Sequence, residues 1–249
     1  MNFLKYRVAQ AISSVQPRRK SSRQHRRVLM YHSISSLDAP TEIYALPESR
    51  FLQHVALLAE SVEPGTNQVV DLVDDTLAGI SITFDDGYSD TLTIASRPLV
   101  ENKLPFTVFV TVANITSGDS KYLTKSQLVE LSNLPGATIG SHGFSHCKLG
   151  ELNESQTLDE LKNSKDWLEQ AISKPVVTMS YPHGSYNSNT LRLVAEVGYK
   201  FAATSRWGFY EVGTSPLEIP RLDVWGRDNR RTLDQKLAGK WNLAMRAAQ

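Results

Sequence analysis

Apolar residues along this chain fall into two alternating kinds of run. Short stretches suited to buried strands occur at Val28 to His32, Ile80 to Phe84, Phe106 to Val112, Ala137 to Gly140, Val176 to Tyr181, Tyr199 to Thr204 and Ile219 to Val224. Between them, Phe51, Leu52, Val55, Leu58, Ala59 and Val62 recur at the helical period, as do Leu158, Leu161, Leu168 and Ile172. Strand and helix in alternation predict a parallel sheet covered by helices, and seven strand candidates suit a barrel. Local signals mark some ends. Asn153 with Gln156 has the form of a capping box, and Gly198 follows the Leu191, Val194, Ala195 stripe as a helix-ending glycine. Leu233 to Met245 reads as a terminal helix. There is no internal repeat.

Composition adds bounds rather than detail. At 249 residues, 41% hydrophobic and 21% charged, the chain fits one α/β domain of ordinary make-up. No apolar run approaches the ~18 residues that span a bilayer. The single cysteine, Cys147, excludes an intramolecular disulfide and leads us to expect a cytoplasmic protein; beside His146 it reads as an inert thiol.

Charge is distributed unevenly. Residues 1–27 hold Lys5, Arg7, Arg18, Arg19, Lys20, Arg23, Arg26 and Arg27 and no acid, which leaves residues 28–249 at a net −7. We therefore divide the chain into a basic tail, 1–27, and a barrel domain, 28–249. Leu4, Val8, Ile12 and Val15 would line one face of a helix in the tail. Two readings stand equal there, a peripheral contact with an anionic membrane at its inner surface and a solvated basic tail. An acidic body speaks against a nucleic-acid partner.

Chemistry concentrates where strands end. Ser81-Ile82-Thr83-Phe84 runs into Asp85-Asp86-Gly87, two adjacent carboxylates whose repulsion a cation would relieve. At the C-terminal end of a barrel strand such residues converge on an active site. A bare Asp-Asp-Gly is also a common turn, and Asp74-Asp75 is read as one. Thr138-Ile139-Gly140-Ser141 likewise runs into His142, with His146 four residues on. In a helical turn both imidazoles would share a face and bind one ion. Two histidines and a carboxylate form a set with open positions for water and substrate. The same set occurs in non-haem iron oxygenases, but usually on an all-β cupin barrel rather than on alternating strands and helices. His25 and His54 read as structural. Tyr88, Tyr186, Trp207 and Trp225 could offer faces to a sugar, although aromatics are more often core residues, and none is singled out.

Thr83-Phe84-Asp85-Asp86-Gly87, Ser141-His142 with His146, and Tyr181-Pro182-His183-Gly184, in this order, resemble the motifs of the polysaccharide deacetylases of carbohydrate esterase family 4, over roughly residues 28 to 226. The resemblance implies a distorted (β/α)7 barrel and a hydrolase that removes acetyl groups from N-acetylated carbohydrate. By residue match it makes Asp85 the catalytic base and Asp86, His142 and His146 the ligands of one divalent metal, zinc first, with nickel, cobalt and iron accepting the same set. Tyr181 stands where many members have an arginine, and no histidine follows His183 to serve as the late general acid. A subgroup that includes the biofilm poly-N-acetylglucosamine deacetylases carries the acid on an early Tyr-His segment. Tyr31-His32 matches it and makes His32 the expected acid. Arg221 is the candidate replacement for the missing arginine, pairing with Asp85. Tyr181 and His183 are expected on the substrate side, with a backbone N–H near Tyr181 facing the oxyanion. Because the third-motif arginine is absent, an inactive sugar-binding protein is the alternative reading.

Overall fold

Parallel strands dominate, and they close on themselves. The computed structural model describes residues 25–39, 41–60, 68–74, 78–211 and 214–246. Seven of its strands form the barrel: β1 (His25–Tyr31), β4 (Gly79–Phe84), β5 (Phe106–Val110), β6 (Ala137–Ser141), β7 (Thr178–Ser180), β8 (Phe201–Trp207) and β10 (Ile219–Asp223). Each pairs in parallel with the next, and β10 returns to β1 with Leu222 opposite Leu29. All seven coincide with the apolar runs of the sequence. The remaining strands are accessory: β2 (Ser33–Ser35) pairs with β3 (Ala45–Pro47), and β9 (Tyr210–Glu211) lies antiparallel on β1. Helices follow the strands on the outside: α1 (Glu48–Glu60), α2 (Ser96–Glu101), α3 (Val112–Thr116), α4 (Lys125–Ser132), α5 (Glu154–Ile172), α6 (Ser188–Val197), α7 (Arg230–Leu237) and α8 (Asn242–Arg246). This is the (β/α)7 barrel the resemblance implied, and a parallel barrel is not the all-β scaffold of the oxygenase reading.

The period-2 alternation of side chains sorts each strand into two faces. Leu29, Tyr31, Ile80, Ile82, Phe84, Val108, Val110, Ile139, Met179 and Leu222 share one core with the helices. Tyr31 packs outward on α1, its hydroxyl 3.1 Å from Nδ1 of His54; burial lowers that imidazole to about 4 and keeps it neutral. Val28, Phe109, Phe201, Ala203 and Ile219 form the second, inner cluster. Gly140 makes room for it, since a Cβ there would sit 2.6 Å from the Phe109 ring. Alternation along each strand places His32, Asp85 and His142 on the inner face just past the ends of β1, β4 and β6, and Arg221 on the inner face within β10. Tyr181 falls on the outward face.

The capping box at Asn153 and Gln156 and the left-handed Gly198 (φ 95°) are present. Some boundaries and one local conformation differ. β1 begins at His25 rather than Val28, and Arg26 and Arg27 are buried within it. Arg26 donates to the Leu72 carbonyl at 2.9 Å, so a backbone acceptor takes a charge that the sequence assigned to the tail. The terminal helix is broken between α7 and α8, where Gly239 turns left-handed (φ 72°) and Trp241 tucks fully into the core. The segment after β6 is not helical. The amphipathic stripe of the tail lies outside the described residues, as does Asp75.

Lys236 of α7 is wholly buried. Its ammonium sits 3.8 Å from the Trp225 ring centroid, 5.0 Å from Trp241 and 5.6 Å from Trp207, pairs with Asp228, and donates to the Asp223 carbonyl at 2.7 Å. Burial lowers its pKa, and Asp228 opposes that shift. Trp207 and Trp225 are thus occupied in caging a cation rather than offered to a sugar. Removing one partner of a buried pair strands the other, so Lys236→Met is expected to cost about 3–5 kcal/mol in urea unfolding. The double variant Lys236→Met/Asp228→Asn should recover part of this, and a neutral single variant would contradict the account.

Candidate active site

Asp85 follows β4 with its side chain at the inner mouth. Arg221 of β10 reaches across the barrel to it: Nη1 donates to Oδ1 and Nη2 to Oδ2, both at 2.7 Å, in a two-pronged pair whose partners are almost fully buried. Nε donates to the Thr204 carbonyl at 2.9 Å, while Nη1 and Nη2 also donate to Thr83 Oγ1 and Ser180 Oγ. Burial alone would raise the Asp85 carboxyl. Arg221 outweighs it, with His142 and His32 adding to the effect, and holds the group well below the usual carboxylate range. A buried carboxylate ionised at all ordinary pH is the result.

The neighbouring residue goes elsewhere because the backbone turns. Asp86 is left-handed (φ 73°) and so is Gly87 (φ 76°); Asn114 of α3 holds the turn by donating to the Asp86 carbonyl at 3.0 Å. A non-glycine residue in that region costs about 1–3 kcal/mol and persists only where its surroundings enforce it. Here the turn points the Asp86 carboxylate at two imidazoles. Its Oδ1 lies 3.1 Å from His146 Nε2 and 3.5 Å from His142 Nε2.

His142 continues the inner face of β6, and its Nδ1 donates to the Ser180 carbonyl at 2.9 Å. That bond leaves the Nε2 lone pair free for an ion. Burial lowers the pKa of this imidazole, although Asp85 and Asp86 oppose it, and a neutral ring is what a metal requires. The loop then turns at Gly143 (φ 75°) and at His146 (φ 62°). The two imidazoles therefore meet through two left-handed turns rather than through a helical one, with ring centroids 5.0 Å apart. Ligand atoms of Asp86, His142 and His146 all lie within 4.8 Å of one another. Tetrahedral ligands at zinc-type distances stand about 3.4 Å apart, and the measured 3.1 and 3.5 Å separations agree with that. The donor set fits one divalent ion.

His32 follows β1 with its ring packed at a tilt against Tyr44, centroids 4.5 Å apart. Its Nδ1 is enclosed and has no hydrogen-bond partner among the described residues, which leaves Nε2 as the accessible nitrogen. With Asp85, Asp86, His142, His146 and Arg221 it lines one open cleft of about 570 Å³, a size typical of small-molecule sites.

Tyr181 and His183 both line the cleft, and each is also engaged by its neighbours. The Tyr181 N–H donates to the Ala203 carbonyl at 3.0 Å and its hydroxyl to Leu217 at 3.0 Å, while the ring stacks outward on Tyr186. With both polar groups committed, the Tyr181 N–H does not face a substrate oxyanion. His183 donates from Nε2 to the His146 carbonyl at 3.2 Å and its ring lies against that of His146, tilted by 59° with centroids 4.5 Å apart; it braces His146 at the cleft edge. Tyr88 also lines the cleft. Cys147 is free and half-buried, with burial pushing its thiol up, as an inert thiol should be. Sequence reasoning missed Ser180, which touches both Asp85 and Arg221 and holds His142, and Asn114. Ser180 ends a strand on the inner face and was findable by that rule; Asn114 carries no such signal.

A closed seven-strand parallel barrel, with a three-ligand set and a guanidinium-paired carboxylate at one mouth, defines a barrel protein with a metal-competent centre. The polysaccharide deacetylase family model matches residues 74–202, just over half of the sequence, and the chain belongs to that family. YxkH of Bacillus subtilis (strain 168), assigned as a polysaccharide deacetylase, is 30% identical over 188 residues, which are 73% of this chain and 64% of the relative; the chain thus spans less than two thirds of that protein. Among solved structures, the Streptococcus pyogenes deacetylase PplD in complex with acetate aligns with a TM-score of 0.76 at 22% identity, over 86% of this chain and 98% of that one. IcaB from Ammonifex degensii aligns with a TM-score of 0.73 at 19% identity, over 86% and 97% of the two chains. These two likenesses are of fold.

Proposed function

We propose that the protein is a metal-dependent hydrolase that removes the acetyl group from an N-acetylated carbohydrate. The observation that carries this reading is the pairing of Arg221 with Asp85 beside, and separate from, the Asp86, His142 and His146 set. One carboxylate is kept ionised without being a ligand, as a base for water must be, while its neighbour faces the two imidazoles of His142 and His146. Family membership supports the same chemistry, and the retained set speaks against the inactive reading.

An amide yields to water only if a nucleophile, a sink for the carbonyl charge and a proton for the leaving nitrogen are supplied together. Asp86, His142 and His146 would hold a zinc-type ion, whose contribution when bound would be to acidify water from about 15.7 towards ~7 and to polarise the acetyl oxygen. Asp85 takes the proton of the attacking water, its carboxylate kept charged by Arg221 and oriented by Thr83 and Ser180 around that guanidinium. His32 gives its proton to the departing sugar nitrogen. The C–N bond breaks, and acetate and a free amine leave.

The test is acetate release from N-acetylglucosamine oligomers, with bound metal measured on the same samples. Asp86→Ala, His142→Ala and His146→Ala should each lose metal and activity together. Asp85→Asn should keep its metal and lose activity by ~10²-fold or more. Normal turnover in Asp85→Asn would rule the mechanism out.

A further inference from the structure

The loop that carries the second histidine ligand is held by a residue far from it in sequence. Glu160 of α5 accepts from the Phe144 N–H at 2.9 Å and the Ser145 N–H at 3.0 Å through Oε2, and from the Ser145 hydroxyl at 2.6 Å through Oε1. Three donors from two consecutive residues thus converge on one carboxylate, a charge-assisted arrangement stronger than neutral bonds. On the other side of the loop, α3 takes the carbonyls: Ala113 N–H donates to Phe144 at 2.8 Å and Val112 N–H to Gly143 at 3.4 Å. Burial does little of the holding, because the Phe144 ring is 36% exposed. His146, in its left-handed conformation, follows directly after the segment held by these two grips.

We infer that Glu160 is a positioning residue for the metal centre, fixing residues 143–146 so that His146 presents Nε2 to the ion; the metal part of this inference rests on the function proposed above. The physical reason is the strain at His146. A left-handed non-glycine residue is sterically disfavoured relative to the ordinary helical region, and it stays there only while the loop leading into it is pinned. Without Glu160 the Phe144 and Ser145 amides find water instead, at little cost in hydrogen bonding but with no fixed direction. The loop then relaxes, and His146 leaves its place 3.1 Å from Asp86. Glu160 touches neither ion nor substrate, so its effect is read in metal affinity and loop order before it is read in turnover.

The experiment uses the full chain, stripped of metal, as wild type, Glu160→Ala and Glu160→Gln. Zinc affinity is measured by competition with a chromophoric chelator, amide hydrogen exchange at Phe144 and Ser145 in the metal-free form, and thermal melting as the check on folding. Glu160→Ala is expected to bind zinc 10- to 100-fold more weakly, roughly the usual effect of removing a group that orients a ligand, and to exchange both amides faster. Glu160→Gln keeps one oxygen able to accept both N–H groups, so it should recover most of the affinity. Should Glu160→Ala not fold, Glu160→Asp, which keeps the charge but is one methylene too short, is expected to show the same losses. Zinc affinity and amide exchange both at wild-type level in a folded Ala or Asp variant would overturn the inference. A wild type that binds no zinc would instead refute the proposed function, and amide exchange would still decide whether Glu160 holds the loop.

Discussion

Replacing Arg221 with methionine is expected to shift the acid limb of activity upward and to destabilise the protein by about 3–5 kcal/mol, because the substitution leaves the buried Asp85 charge without its partner. The two effects share one cause. In the wild type, Asp85 has a depressed pKa, so it contributes stability that is present above the ordinary carboxylate value of about 3.9 and is lost as pH falls through the lower, folded value. In the variant only burial and the two histidines act on it. Burial is the largest influence on this group and acts upward. The sign then reverses: the variant should be least stable, relative to wild type, at neutral pH, and the gap should narrow as pH falls. The acid limb of kcat/KM should move up with the same shift, and about 3 kcal/mol of lost pairing corresponds to roughly two pH units. Urea melts and a pH–rate profile check the pair of effects. A variant with an unmoved acid limb would show that Arg221 does not set the state of the base.

His32→Ala is expected to retain its metal and to lose ~10²- to 10⁴-fold in activity on an N-acetyl sugar. On an aryl acetate, whose leaving group departs without a proton, the loss should be far smaller. The contrast separates a proton donor from a packing residue. His32 does pack, on Tyr44, and disturbed packing would depress both reactions alike. Its enclosed Nδ1 and accessible Nε2 are the geometry of a ring with one working nitrogen. Equal losses on both substrates, or loss of metal, would return the role of acid to His183, which already has a partner in the His146 carbonyl.

Much of this was written locally. Each barrel strand is a short apolar run, and backbone groups buried on both sides of a parallel sheet can be satisfied only by neighbouring strands, so pattern alone predicts all seven. The capping box of α5 and the glycine ending α6 involve residues three or four apart, within reach of local rules. Asp85, Asp86, His142 and His146 were legible because each stands at or just after a strand end, where a barrel gathers its site. What pattern could not supply was direction. Tyr181 and Ser180 are adjacent in sequence but face opposite sides of β7, and one residue of register decided that Ser180 enters the site while Tyr181 turns to Tyr186. The left-handed turns at Asp86 and His146 have no signature in residue type, since both are strained positions that only the surrounding hydrogen bonds enforce. Arg26 looked like tail until the Leu72 carbonyl received it. Composition and periodicity determine which segments are strands and which are helices, because those depend on neighbours along the chain. Which charge meets which, Arg221 with Asp85 across 136 positions or Glu160 with the His146 loop, is decided by barrel closure, because strand register and curvature bring together groups that no local interaction relates.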